Sequence, residues 1–136
     1  MSHQINVVLD TNVLVSALLS AAGLSAAIYR MIGNGKLVPH YNDVIMHEYR
    51  EVLNRPKFDI HPLEINVLTL LFEQRGCKLT PDKSDIFLPH EADRIFYDTA
   101  RCTESILITG NTRHFPHSAP FVMTPRRFVD SYGETI

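Results

Sequence analysis

What most constrains this chain is the order in which apolar runs of two different periods follow one another. Short runs rich in β-branched residues alternate with longer amphipathic stretches along its whole length. Ile5 to Leu9 is the first short run, and it stops at Asp10. Such a run reads as a strand buried on both faces, as in a parallel sheet. Helical patterns follow over 12–19 and 24–32, the second closed by Gly33-Asn34-Gly35. A strand is expected at 37–40, then a helix from Asn42 or Asp43 to Leu53, stopped by Arg55-Pro56. A further helix is expected over 62–75, with proline in its first turn and Gly76 at its end. Residues 78–80 read as a short strand, 81–89 as a loop with brief pairing at 86–88, and 91–103 as a helix. Strands at 105–109 and 121–123 and a helix at 125–132 complete the pattern. This alternation predicts an α/β fold, a parallel sheet with helices on both faces. With 136 residues and no repeat or linker, residues 1–136 read as a single domain.

Composition narrows the function classes. The chain is 45% hydrophobic and 21% charged, values of an ordinary globular domain. Its net charge of −2 gives no global basic field, so any nucleic-acid contact needs a local patch. No apolar run approaches a membrane span, and the N-terminus lacks the basic start and cleavage region of a leader. A cytoplasmic location without membrane attachment is therefore expected. Cys77 and Cys102 form no CxxC pattern and are expected to be reduced thiols, at least half-buried.

The carboxylates carry the functional signal. In a doubly wound sheet, ligands bind outside the carboxyl ends of the strands, where the strand order reverses. The first strand ends in Asp10-Thr11-Asn12 and a late one in Thr109-Gly110-Asn111. If these strands are neighbours, Asp10 and Asn111 face one crevice. Glu48 lies beside Val44, Ile45 and Val52 on a helix, and Asp93 on the face of Phe96, Tyr97 and Ala100. A carboxylate on an apolar stripe is costly unless paired or bound to a metal. Each also has a plainer role. Asp10 is good capping chemistry, Glu48 could pair with Arg30 or Arg50, and Asp93 suits the first turn of a helix. Taken together, the three suit an all-oxygen site for Mg²⁺ or Mn²⁺. Asp98, four residues from Arg94, reads as a surface ion pair.

These segments resemble the PIN-domain family. Val7-Val8-Leu9-Asp10-Thr11-Asn12 is similar to the start of such domains, and Glu48 in His47-Glu48-Tyr49-Arg50-Glu51-Val52-Leu53 to their second acidic motif. The stretch through Asn54-Arg55-Pro56-Lys57-Phe58 is similar to the subgroup regarded as toxin components of toxin–antitoxin pairs. Asp93 in Ala92-Asp93-Arg94-Ile95-Phe96 resembles the third motif, and Ile108-Thr109-Gly110-Asn111-Thr112-Arg113-His114-Phe115 the fourth.

The resemblance implies a three-layer α/β/α sandwich with a sheet of four to five strands. It implies an RNA-cleaving site that uses Mg²⁺ or Mn²⁺, with Asp10, Glu48 and Asp93 as ligands and Asn111 beside them. Asn12 and Thr109 would support that site. His90, Arg113 and His114 are candidate RNA contacts, as are Arg126 and Arg127. Where many relatives carry a further acid, this chain has His90-Glu91, which favours one metal over a pair. The expected activity is an endoribonuclease, the toxin of such a pair, held in check by a small antitoxin protein. A catalytically weak binding module or a generic Mg²⁺-dependent phosphatase are the alternatives. Apolar residues over 24–32 and 62–75 exceed what a small monomer buries, so a homodimer is expected.

Overall fold

Strand β1, Ile5–Leu9, is the spine of the molecule: Val7, Val8 and Leu9 are all but fully buried. The structure is a computed structural model and describes residues 3–133. β1 pairs in parallel with β2 (Leu37–Tyr41) on one side and β4 (Ile106–Ile108) on the other. β3 (Cys77–Lys78) and β5 (Val122–Met123) extend the sheet, giving the order β3-β2-β1-β4-β5. All four pairings are parallel. The chain winds outward from β1 to β3, then returns to the other side of β1. That reversal puts helices on both faces and makes a three-layer α/β/α sandwich.

Among the described residues, six α-helices fill the layers: α1 (Thr11–Leu19), α2 (Leu24–Gly33), α3 (Asp43–Leu53), α4 (Pro62–Arg75), α5 (Arg94–Cys102) and α6 (Pro125–Tyr132). Their boundaries follow local chemistry. The Asn42 side chain accepts from the Ile45 N–H at the start of α3, and Thr124 accepts from Arg127 N–H at the start of α6. α4 ends at Gly76 because the chain must pass very close to β2. A Cβ there would lie 2.4 Å from the Pro39 carbonyl oxygen. Leu14, Ile28, Ile32, Ile45, Leu68, Phe72 and Phe128 close the core around the sheet. Among the described residues, no single helix is long and apolar enough to cross a membrane.

Four sequence expectations are corrected. β3 begins at Cys77, one residue earlier than expected, because it pairs with His40 as soon as Gly76 has turned. Residues 86–88 form no strand. Arg94 instead donates to the Ser84 carbonyl at 2.9 Å and the Ile86 carbonyl at 2.7 Å, so a side chain serves peptide groups a ladder would have served. Asp98 is no surface partner of Arg94. It is buried and accepts from the Ser84 N–H at 3.0 Å, while Arg94 pairs with Glu91 at 2.7 Å. Both thiols are exposed rather than half-buried: Cys77 sits in an edge strand and Cys102 in the last turn of α5. The 91–103 helix opens with a 3₁₀ turn over Glu91–Asp93.

His40 on β2 is buried, and neither ring nitrogen has a partner. Burial lowers its pKa from 6.5, since the charged ring is costly in a dry site. The sign follows from linkage. The unfolded chain takes up the proton first, so this contribution is complete above pH 6.5 and is lost as the pH falls below it. His40→Leu should therefore flatten the acid limb of stability by up to about 1.4 kcal/mol per pH unit. Urea midpoints at pH 7 and pH 5 test this, and equal pH slopes in both proteins would refute it.

Candidate metal-binding crevice

Asp10 stands at the N-cap position of α1 but makes no capping hydrogen bond with its side chain. The simplest alternative role for this residue is therefore not realised. Its carboxylate instead accepts from the Thr109 hydroxyl at 2.7 Å and from the Asn12 amide at 3.4 Å. β1 and β4 are neighbours, so Asp10 and Thr109 meet at the switch point across 99 residues of sequence. Asn12 also accepts from the Gly110 N–H at 3.1 Å, and Thr109 accepts from the Asn111 N–H at 3.0 Å. The turns after the two strands are thus tied together. Asn111 joins through its backbone, while its side chain is exposed.

Glu48 and Asp93 reach the same region from two helices. Glu48 lies at the edge of the buried face of α3, which is made by Ile45, Met46, Tyr49 and Leu53. Val44 points to solvent, so the stripe proposed around Val44 and Val52 is the rim of that face. Glu48 accepts from the Thr11 hydroxyl at 2.5 Å. Asp93 sits at the N-cap position of α5, also without a capping bond, and lies 3.1 Å from His114 Nδ1. His90 packs against that imidazole, with ring centroids 4.4 Å apart. Arg113 is exposed and lines a different concavity, with Thr112, His117 and Arg127.

The electrostatics are those of a site lacking positive charge. Burial raises the Asp10 carboxyl above 3.8, and the charges of Asp93 and Glu48 raise it further. The Thr109 hydrogen bond pulls the other way. A hard divalent cation suits such an oxygen donor set. Among the described residues, no three His, Cys, Asp or Glu side chains are grouped so that they could hold a metal ion as they stand.

The profile of the PIN domain matches residues 6–113, from the first strand past the Asn111 turn. The chain belongs to the PIN-domain family. Its sandwich is the PIN fold, and the family is one of nucleases that generally depend on divalent metals. No curated protein matches the chain.

Sequence reasoning missed three supports. Thr11 holds Glu48, although it lies inside the Asp-Thr-Asn turn. The fully buried Tyr49 hydroxyl donates to the Leu9 carbonyl at 2.6 Å, fixing the strand end before Asp10. Burial, then the charges of Asp10 and Glu48, push that phenol well above 10.0, so it stays a donor. Gly110 leaves room for Asn12, whose Oδ1 would lie 3.4 Å from an added Cβ. A polar tip next to Glu48 on an apolar face was the available signal for Tyr49.

A raised carboxyl costs stability once it ionises, so that cost grows as the pH rises through its folded value. In chelator at pH 7, Asp10→Asn should melt at a higher temperature than the wild type. The gain should shrink as the pH falls toward 3.8, where wild-type Asp10 also becomes neutral. A lower melting temperature for the variant at pH 7 would contradict this account of the crevice.

Proposed function

We propose that this PIN domain is a Mg²⁺- or Mn²⁺-dependent endoribonuclease and the toxin component of a toxin–antitoxin pair. The observation that supports the reading most is Asp10: a buried, uncapped carboxylate at the switch point, strained by Asp93 and Glu48. Asp10, Glu48 and Asp93 would hold the metal. When bound, the cation would acidify a water and offset charge building on the attacked phosphate.

The protein's own groups carry the rest. Glu48, held by Thr11, ligates or orients the attacking water. Thr109 and Asn12 fix the Asp10 carboxylate, and Asn111 positions the phosphate or a ligand. The water oxygen forms a bond to phosphorus in line as the bond to the 3′ oxygen breaks, leaving a 3′-hydroxyl and a 5′-phosphate. His114, beside Asp93, and His90 face the RNA backbone. The toxin assignment is supported by the Glu48-to-Phe58 stretch.

Control by a small partner protein is supported by a cleft of ≈ 510 Å³ that adjoins Glu48. Its lining mixes Glu51, Glu91 and Asp98 with Arg55, Lys83 and Arg94, so a partner would meet charges of both signs beside the apolar Val44 and Val52. A homodimer is supported by α4, which exposes Leu63, Val67 and Leu70. Sedimentation at micromolar concentration should give a dimer, and a clean monomer would reject it.

The ribonuclease reading predicts cleavage of single-stranded RNA with Mn²⁺, blocked by chelator. Asp10→Asn and Asp93→Asn should each lower the rate at least about a hundredfold, the scale of losing preorganised charge stabilisation. Equal rates in all three proteins would reject the site. Cleavage of a phosphate monoester but not RNA would favour a phosphatase.

A further inference from the structure

We infer that the concavity between the 112–114 turn and the start of α6 is a phosphate subsite that sets the path of the RNA strand away from the catalytic crevice. This rests on the ribonuclease reading and deepens it. The concavity has a volume of ≈ 400 Å³. Arg113, His117 and Arg127 line it together with the hydroxyl-bearing Thr112 and Thr124, and no acidic residue does. Arg113, His117 and Arg127 are exposed and have no ion-pair partner among the described residues.

The other large opening beside the crevice has a mixed lining of four acids and three cations. Glu48, Glu51, Glu91 and Asp98 line it. Its cations are already engaged: Arg94 and Lys83 with Glu91 at 2.7 and 3.8 Å, and Arg55 with Glu51 at 4.0 Å. A phosphodiester backbone entering there would meet carboxylates and would have to break ion pairs. On the side of Arg113 and Arg127 it meets unengaged guanidinium groups, which match phosphate oxygens in a bidentate fork. The contrast matters because the chain carries a net charge of −2, so its overall field does not draw RNA in. Attraction must be local.

Location completes the argument. Thr112 follows Asn111 directly, and the Asn111 N–H bonds to the Thr109 hydroxyl that holds Asp10. The basic concavity therefore begins one residue from the crevice, on the same carboxyl-end side of the sheet as β4 and β5. A strand cut beside Asp10 has a flanking phosphate within the reach of this turn. These two arginines and the histidine read no base, so the subsite adds affinity and direction without sequence preference.

The test is binding of a short single-stranded RNA in chelator, where nothing is cut, followed by fluorescence anisotropy across a salt series. Each phosphate contact contributes about 0.7 to the slope of log affinity against log salt for single strands. Arg113→Gln combined with Arg127→Gln should lower that slope by about 1.4 and weaken binding roughly ten- to hundredfold near 50 mM salt. Lys36→Gln combined with Arg75→Gln removes the same charge at the opposite end of the sheet and should change neither. Melting curves establish that both variants are folded. Wild-type binding in the arginine pair, or an equal loss in the control pair, overturns the subsite. If the wild type still cuts RNA in that case, the ribonuclease reading stands. A wild type that neither binds nor cuts RNA overturns both.

Discussion

One hydrogen bond organises this protein's candidate site: the Thr109 hydroxyl to the Asp10 carboxylate, 2.7 Å, between the ends of two neighbouring strands. A hydroxyl has one proton to give and two lone pairs. Thr109 gives its proton to Asp10 and accepts from the Asn111 N–H, so one atom fixes a carboxylate and the turn beyond it. The parallel pairing of Leu9 with Ile108 makes this meeting obligatory, because it brings both strand ends to the same level. Tyr49 secures the same level from α3 through the Leu9 carbonyl.

That arrangement places a charge where folding alone would not put one. Asp10 is buried, its capping opportunity is unused, and two further acids raise its carboxyl. Three groups relieve it locally: the Thr109 hydroxyl, the Thr11 backbone N–H and an Asn12 amide at 3.4 Å. The protein tolerates this because the surrounding core is large and well filled, from Val7 and Val8 to Phe128. A site of this kind is a local exception to the rule that sequence and environment agree at every level.

The fold was legible because periodicity reports burial. The β-branched run Ile5–Leu9, interrupted at the exposed Asn6, reads as a strand of a parallel sheet, and the helix boundaries at Asn42, Pro62 and Pro125 are written in backbone chemistry. Asp10, Thr109 and Asn12 could be found because they sit where strands end. Distances of many residues between partners were not legible. The pinning of Ser84 and Ile86 by Arg94 depends on which way a loop crosses a helix, and periodicity says nothing about that. Asp98 failed for the same reason: four-residue spacing from Arg94 suggested a pair, but the Ser84–Ile86 loop that precedes the helix captured both side chains. The exposure of Cys77 followed from its being on an edge strand, which no local pattern reveals.

The span between Asp10 and Thr109 also bears on the order in which the molecule is made. A chain leaves the ribosome from its N-terminus, and Asp10, Thr11 and Glu48 emerge long before β4. Until Thr109 has emerged and β4 has docked beside β1, the Asp10 carboxylate has no hydroxyl to hold it and the two turns are not tied. A nascent or prematurely terminated chain therefore carries the acids without the geometry. For a nuclease fold synthesised in the midst of RNA, topology itself delays assembly of the crevice until nearly the whole domain is present.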